Sequence, residues 1–197
     1  MVFQAAALII LLAFYGCYFA KMIFQKKKGI RTDQMGKGKT GFVKGVEVTL
    51  KIVTILVPLV ELAGIGWKLS LLPVWARVLG VVFGVLGVTV FVCAVITMQD
   101  NWRAGVPETD STELVTRGIF QISRNPAFLG FDLVYIGILL MFFNWVLFAV
   151  SVLAMFLLHL QIVNVEEDFL ITAFGESYLE YRKKVCRYFG RKIDRKK

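Results

Sequence analysis

The chain carries one histidine, three cysteines and four prolines among 197 residues. One histidine without grouped carboxylates supplies no metal centre, so none is expected. Cys17, Cys93 and Cys186 show no CxxC spacing, which excludes a disulfide framework and a zinc site. Each reads as a small apolar side chain. No glycine fingerprint follows a strand-like run, so a soluble dinucleotide-binding domain is excluded. Gly36-Lys37-Gly38-Lys39-Thr40-Gly41 has the look of a phosphate loop, but Asp33 stands where that pattern requires glycine. A flexible basic loop is expected there. Acidic residues are scarce, 14 against 23 Lys and Arg, for a formal charge of +9.

What is abundant is apolar. Hydrophobic residues make up 57% of the chain and the mean hydropathy is +0.69, values of an integral membrane protein. A spanning helix needs about 20 apolar residues. Residues 2–24 satisfy this and lack a basic leader and a small-residue cleavage site, so a retained helix is expected. Residues 46–66 and 72–98 are the second and third candidates, the second with Glu47, Lys51 and Glu61 inside it. Residues 127–163 are too long for one span, and Asn144-Trp145 falls near their middle. Two helices of roughly 16 to 18 residues would cover only about 24–27 Å. The expected fold is an all-α integral membrane protein of about five transmembrane helices. The last two form a short helical hairpin, followed by a cytosolic C-terminal tail. Residues 1–197 are read as a single membrane domain: three helices over 1–98, then a loop, hairpin and tail over 99–197.

The positive charge is concentrated, which argues against a nucleic-acid partner. Lys26, Lys27, Lys28, Arg31, Lys37, Lys39 and Lys44 fill the first loop. Arg182, Lys183, Lys184, Arg187, Arg191, Lys192, Arg195, Lys196 and Lys197 fill the tail, whereas the second connection has only Lys68. Positive loops stay cytoplasmic. The N-terminus is then outside, with the first loop, the stretch 99–126 and the tail on the cytosolic side. Such tails attract anionic lipid headgroups. No obligate protein partner is evident.

Several residues invite more than one reading. Gly80, Gly84 and Gly87 are spaced for close helix packing, which is favoured over a ligand on bare backbone. Glu61 deep in a helix is costly. It is neutral, paired with Lys51 or Lys68, or part of a site, and the sequence leaves these open. His159 precedes Glu166 by seven positions, close enough to share its helix face. A hydrogen-bonded buried imidazole is favoured over a catalytic base, and His159 is carried with the cofactor-side candidates. Trp102, Arg103, Gly105, Pro107, Glu108, Asp110, Ser111 and Glu113 read as a polar surface loop. The segment 113–120 is expected to be irregular. Pro126 fits the first turn of the fourth helix, whose positive end, beside Arg124, can bind a carboxylate or phosphate. Glu166-Glu167-Asp168 follow the fifth helix directly. The hairpin should return these carboxylates to Arg124. One end then offers cation and helix dipole, the other anion, which together suit an amino-acid zwitterion.

The pattern Leu114-Val115-Thr116-x-Gly118-Ile119-Phe120-x-x-x-Arg124-Asn125-Pro126-x-Phe128-x-Gly130 resembles the signature of membrane-embedded methyltransferases. These include the isoprenylcysteine carboxyl methyltransferases and the phospholipid methyltransferases. The likeness continues through Glu166-Glu167-x-x-Leu170-x-x-x-Phe174-Gly175-x-x-Tyr178-x-x-Tyr181-x-x-x-Val185 and covers roughly residues 98–187. It implies S-adenosyl-L-methionine bound on the cytosolic side and released as S-adenosyl-L-homocysteine. Leu114, Val115, Thr116, Gly118, Asn125, Pro126, Phe128 and Gly130 would lie along that cofactor. Glu167, with Glu166, would hold its amino group. Arg124, with Lys184 or Arg187, would face the methyl acceptor. The implied activity is methylation of a lipophilic or amphipathic acceptor, with carboxyl O-methylation of an isoprenylcysteine-like substrate foremost. Asn125 stands where the carboxyl methyltransferases carry His, and Lys184 where they carry Arg. Lys and Arg are not interchangeable at a carboxylate, so lipid headgroup N-methylation and small-thiol S-methylation stay open. An NADPH-dependent membrane reductase and a non-enzymatic helical bundle are the remaining alternatives.

Overall fold

A computed structural model describes residues 1–106 and 113–192. The loop residues Pro107, Glu108, Asp110 and Ser111 and the tail cations Arg195, Lys196 and Lys197 lie outside the described residues. Within them the chain is helical, with two isolated bridges, Asp33–Ala104 and Val185–Arg191. Six helices follow in order: α1 (Val2–Lys27), α2 (Gly41–Gly66), α3 (Val74–Met98), α4 (Pro126–Met141), α5 (Trp145–Gln161) and α6 (Glu167–Lys184). The first three, and the stretch containing α5, are long and apolar enough to cross a membrane; α4, with 16 residues, is shorter. This is the architecture of a multi-pass membrane protein. The break at Asn144 is a capped helix start. Its side-chain oxygen accepts from the Leu147 N–H at 2.9 Å, satisfying one orphan donor of α5.

Glycine sets the tightest contact. A Cβ on Gly137 would lie 2.6 Å from the Gly84 nitrogen and 2.8 Å from the Gly80 oxygen. One on Gly87 would lie 2.7 Å from the Val134 nitrogen and 2.9 Å from the Gly130 oxygen. The backbones of α3 and α4 touch along this seam, where hydrocarbon solvent gives no drive to association and van der Waals contact must supply it. Packing is thus what the α3 glycines do. Beside the seam, Phe14, Phe91, Phe131, Tyr18 and Trp102 form a ring cluster, with Phe14 and Phe91 centroids 4.6 Å apart.

The other pairing is α2 on α5, through Leu50, Val53 and Val57 against Ala154, Leu157 and Leu158. Helix α1 leans on α3 instead, so α1 and α2 meet only sparsely and leave a gap between them. Glu61 is fully buried in α2, and neither carboxyl oxygen has a hydrogen-bond partner. Lys51 is committed elsewhere, to Asp33. The hydroxyls of Tyr15 and Tyr135 are buried beside each other, with Glu61 close by.

Two features differ from the sequence reading. The first loop is pinned, not flexible. The Gln34 N–H donates to the Ala104 carbonyl and the Ala104 N–H to the Thr32 carbonyl, while Gln25 receives the Thr32 hydroxyl and donates to the Trp102 carbonyl. The Gly36 N–H points at the Glu47 carboxylate at 2.7 Å, where a phosphate loop would hold an anion from solution. The tail, moreover, is mostly helix. Helix α6 bends at Gly175, whose φ of 51° is open to glycine at little cost.

Candidate functional site

The residues singled out above converge where α4 begins and α5 ends. Residues 113–117 are irregular, and Gly118–Gln121 form one 3-10 turn. The Ser123 hydroxyl accepts from the Asn125 N–H at 3.1 Å, and Pro126 opens α4 where no N–H is needed. The tail then folds back over this turn. The Arg124 N–H donates to the Cys186 carbonyl, the Gly190 N–H to the Ile122 carbonyl, and the Asn125 amide to the Arg187 carbonyl at 3.1 Å. The Tyr181 hydroxyl donates to the Phe120 carbonyl at 2.5 Å.

Between α5 and α6 runs a π turn, Ile162–Glu166. Adjacent helical residues point about 100° apart, and here that separation divides two carboxylates. Glu166 faces a cavity. Glu167 faces the tail and is almost wholly buried by arginines. It accepts from Arg187 Nε at 2.8 Å and Nη2 at 3.0 Å, and pairs with Arg124 Nη2 at 3.1 Å and Arg182 Nη2 at 3.9 Å. Burial by itself would raise the Glu167 carboxyl. The Arg187 hydrogen bond and the charges of Arg124, Arg187 and Arg182 outweigh it and hold the group below the usual carboxylate range. The same bond raises Arg187. Arg124 also donates to the Tyr178 hydroxyl at 2.7 Å, yet its Nε is buried with no partner.

The cavity holds about 340 Å³. Its inner wall includes Leu114, Val115, Arg124, Asn125, Pro126 and Phe128, and Glu166 lines it as well. Trp102, Phe169 and Phe174 add flat apolar surface. The opposite wall was not anticipated: Tyr15, Tyr18, Phe19 and Met22 of α1, Thr54 and Ile55 of α2, and the charged pair Asp33 and Lys51. Phe19 is 55% exposed and Ile55 60%, so this wall of the cavity reaches the surface of α1 and α2. Lys51 was a visible signal, as a cation inside an apolar run. Asp33 carried none, because only the loop's fold brings it there.

Not every expected residue is on this cavity. Gly130 packs against α3, where a Cβ would meet Phe91 Cβ at 2.8 Å. Gly118 adopts φ 58° with Thr97 against it. Thr116 and Lys184 border a separate shallow recess with Tyr181 and Arg191. His159 holds the tail: its Nδ1 lies 2.5 Å from the Tyr188 hydroxyl and the two rings stack. The expected return of Glu167 to Arg124 is present, but the two neutralise each other and leave no open cation–anion pair. Glu167 and Arg187 stand behind the cavity wall, with Arg124 between them and the cavity.

Comparison with known proteins bears on this same region. The family model described as phospholipid methyltransferase matches residues 75–177. A protein-S-isoprenylcysteine O-methyltransferase of Xenopus laevis is 33% identical over 113 residues, 56% of this chain and 39% of that protein. Its namesake in Schizosaccharomyces pombe is 36% identical over 72 residues, 36% of this chain and 30% of the other. The Homo sapiens namesake is 31% identical over 113 residues, 56% of this chain and 40% of the other. The chain thus matches less than half the length of these curated relatives. The matched region holds both motif blocks as far as Gly175 and excludes α1, α2 and the first loop. With the match spanning just over half of its 197 residues, the chain belongs to the phospholipid methyltransferase family.

Proposed function

We propose that this protein is an S-adenosylmethionine-dependent methyltransferase of the membrane, acting on a lipophilic acceptor with a polar head. The observation that carries the reading is the cavity's mixed lining. Motif residues line its inner end, and lipid-exposed Phe19 and Ile55 line its outer end. The charge pattern on the first loop and tail supports a cytosolic position for the inner end.

The lining fits the donor's chemistry. A sulfonium and an ammonium call for carboxylates, and Glu166 and Glu113 are present. A flat adenine calls for aromatic faces, and Trp102, Phe169 and Phe174 provide them. When bound, the donor supplies a methyl group on positively charged sulfur.

The protein's part is alignment and exclusion of water. Arg124 would orient the acceptor's anionic head through Nε while Tyr178 and Glu167 fix the guanidinium from behind. The tail latch of Arg187 and Tyr188 would hold Glu167 and α5 in register. For a carboxylate acceptor, a carboxylate oxygen supplies the electron pair for the new O–C bond. The S–C pair stays on sulfur and no proton moves, so the absence of an exposed general base at Asn125 is no obstacle. Relatives named protein-S-isoprenylcysteine O-methyltransferase favour this acceptor class over amines and thiols.

The test is transfer of labelled methyl by the protein in nanodiscs to N-acetyl-S-farnesylcysteine, to phosphatidylethanolamine and to an alkyl thiol. Label on the prenylcysteine carboxylate supports the reading. Label only on the amine or the thiol redirects it, and no transfer to any of the three overturns it.

A further inference from the structure

The outer wall of the cavity lies in α1, α2 and the first loop, outside the region matched by the family model. Specificity contributed there belongs to this chain's own residues. Lys51 stands in the third turn of α2, between Leu50 and Ile52 in sequence, and its ammonium reaches Asp33 of the first loop. A cation at such a position is costly and by default has a job. Its partner is Asp33, and the pair is a close salt bridge with side chains about half and a third exposed. Both residues line the cavity. Asp33 is not drawn in by Lys51 alone: its oxygen accepts from the Met35 N–H, and it bridges to Ala104 across the pinned loop. Removing the Lys51 contact therefore leaves Asp33 held, so Lys51 is free to swing to another anion.

We propose that Lys51, exchanging Asp33 for an incoming head group, selects carboxylate-headed amphiphiles at the membrane-facing mouth of the cavity. The proposal rests on the reading of the cavity as an acceptor site. A carboxylate entering from lipid meets Lys51 first. It then has Arg124 Nε, buried and unpartnered, at the inner end. The two cations are stations on one path, and the apolar chain trails between Phe19 and Ile55 into the bilayer. Asp33 repels carboxylates until Lys51 screens it, and its own charge would favour cationic heads if Lys51 were absent. The pair therefore fixes the sign of the head group that passes.

The test needs no catalysis. Trp102 lines the cavity and is 4% exposed, whereas Trp67, Trp75 and Trp145 are at least 67% exposed. Replacing those three by Phe leaves Trp102 as the sole tryptophan in the full chain, excited selectively beyond the tyrosine band. Quenching by a bromine-labelled fatty acid is compared in nanodiscs with its methyl ester and with a brominated alkyl trimethylammonium, at about pH 8 so that the acid is ionised. The acid should reach half-quenching at a concentration about tenfold lower than either competitor, as one good charge contact provides. Lys51→Gln should remove the acid preference and turn it toward the ammonium, Lys51→Arg should keep it, and Asp33→Asn should sharpen it by releasing Lys51. Binding of S-adenosylhomocysteine, measured on each variant, separates a lost portal from a lost fold. Equal quenching by acid and ammonium in the parent protein overturns the proposal. So does an acid preference that survives Lys51→Gln. Failure of methyl transfer with intact acid-selective quenching would instead sink the methyltransferase reading and leave the portal standing.

Discussion

Glu167→Gln is the substitution from which the structure yields most. The carboxylate is buried and meets Arg187 at 2.8 and 3.0 Å, Arg124 at 3.1 Å and Arg182 at 3.9 Å. Glutamine keeps the shape and one accepting oxygen but removes the charge. Breaking a buried ion pair from one side costs about 3–5 kcal/mol, because the surviving charge is left without compensation. Here the survivors differ. Arg187 and Arg182 have side chains 30% and 41% exposed, so water takes up part of their charge, whereas Arg124 is 5% exposed. One buried arginine is left to bear the loss, which sets the cost at about 2–3 kcal/mol. For a chain of this length that is a fall in Tm on the order of 5–10 °C. The assay is thermal unfolding in nanodiscs, read by fluorescence, across pH. Because Glu167 is depressed in the folded state, its stabilisation is full above the ordinary carboxylate value of about 4.3 and is lost as pH falls through the lower folded value. The difference between parent and Glu167→Gln should therefore be constant near neutrality and shrink below about pH 4. An unchanged Tm at neutral pH, or a gap that widens in acid, would refute the arginine cluster as the clamp of the tail.

Three further outcomes follow from neighbouring contacts. Glu166→Gln should weaken S-adenosylhomocysteine binding by about tenfold or more, the worth of one charged hydrogen bond, with little change in Tm; calorimetry reads both halves of that contrast. Gly137→Ala should cost about 1–3 kcal/mol, since the new methyl meets backbone atoms of Gly84 and Gly80 that cannot yield as a side chain would, and thermal unfolding measures it. Tyr188→Phe removes the bond to His159 and should cost about 1 kcal/mol, read as faster amide exchange confined to residues 185–192.

The membrane helices were legible because long apolar runs have no other use in a chain of this composition. Their ends were less so. Helix α2 starts at Gly41, five residues before the apolar run, because a turn carrying Lys44 is tolerated where the helix leaves the bilayer. The break at Asn144 could be read because asparagine both interrupts an apolar run and caps a helix. Helix α6 leaves no apolar run in the sequence. Its charges hide it from a hydropathy count, although Leu170, Phe174, Tyr178 and Tyr181 recur at helical spacing and pack together as one face. The motif residues Leu114, Val115, Asn125, Pro126, Phe128 and Glu166 do share one cavity. The division of labour between Glu166 and Glu167 was not legible. It depends on the π turn and on Arg187, which reaches Glu167 only after the tail has folded back. Nor could the first loop be assigned, since the contacts that bring Asp33 to the cavity run between backbone groups of residues 32–34 and 104, and backbone pairing over that distance leaves no mark on sequence pattern.

The decisive measurement is isothermal calorimetry of S-adenosylhomocysteine, with NADPH in parallel, against the full chain in nanodiscs. Saturable binding of one S-adenosylhomocysteine per chain, lost or weakened in Glu166→Gln and absent for NADPH, is the outcome expected of a methyltransferase cavity. Binding of NADPH alone, or of neither ligand, would contradict it.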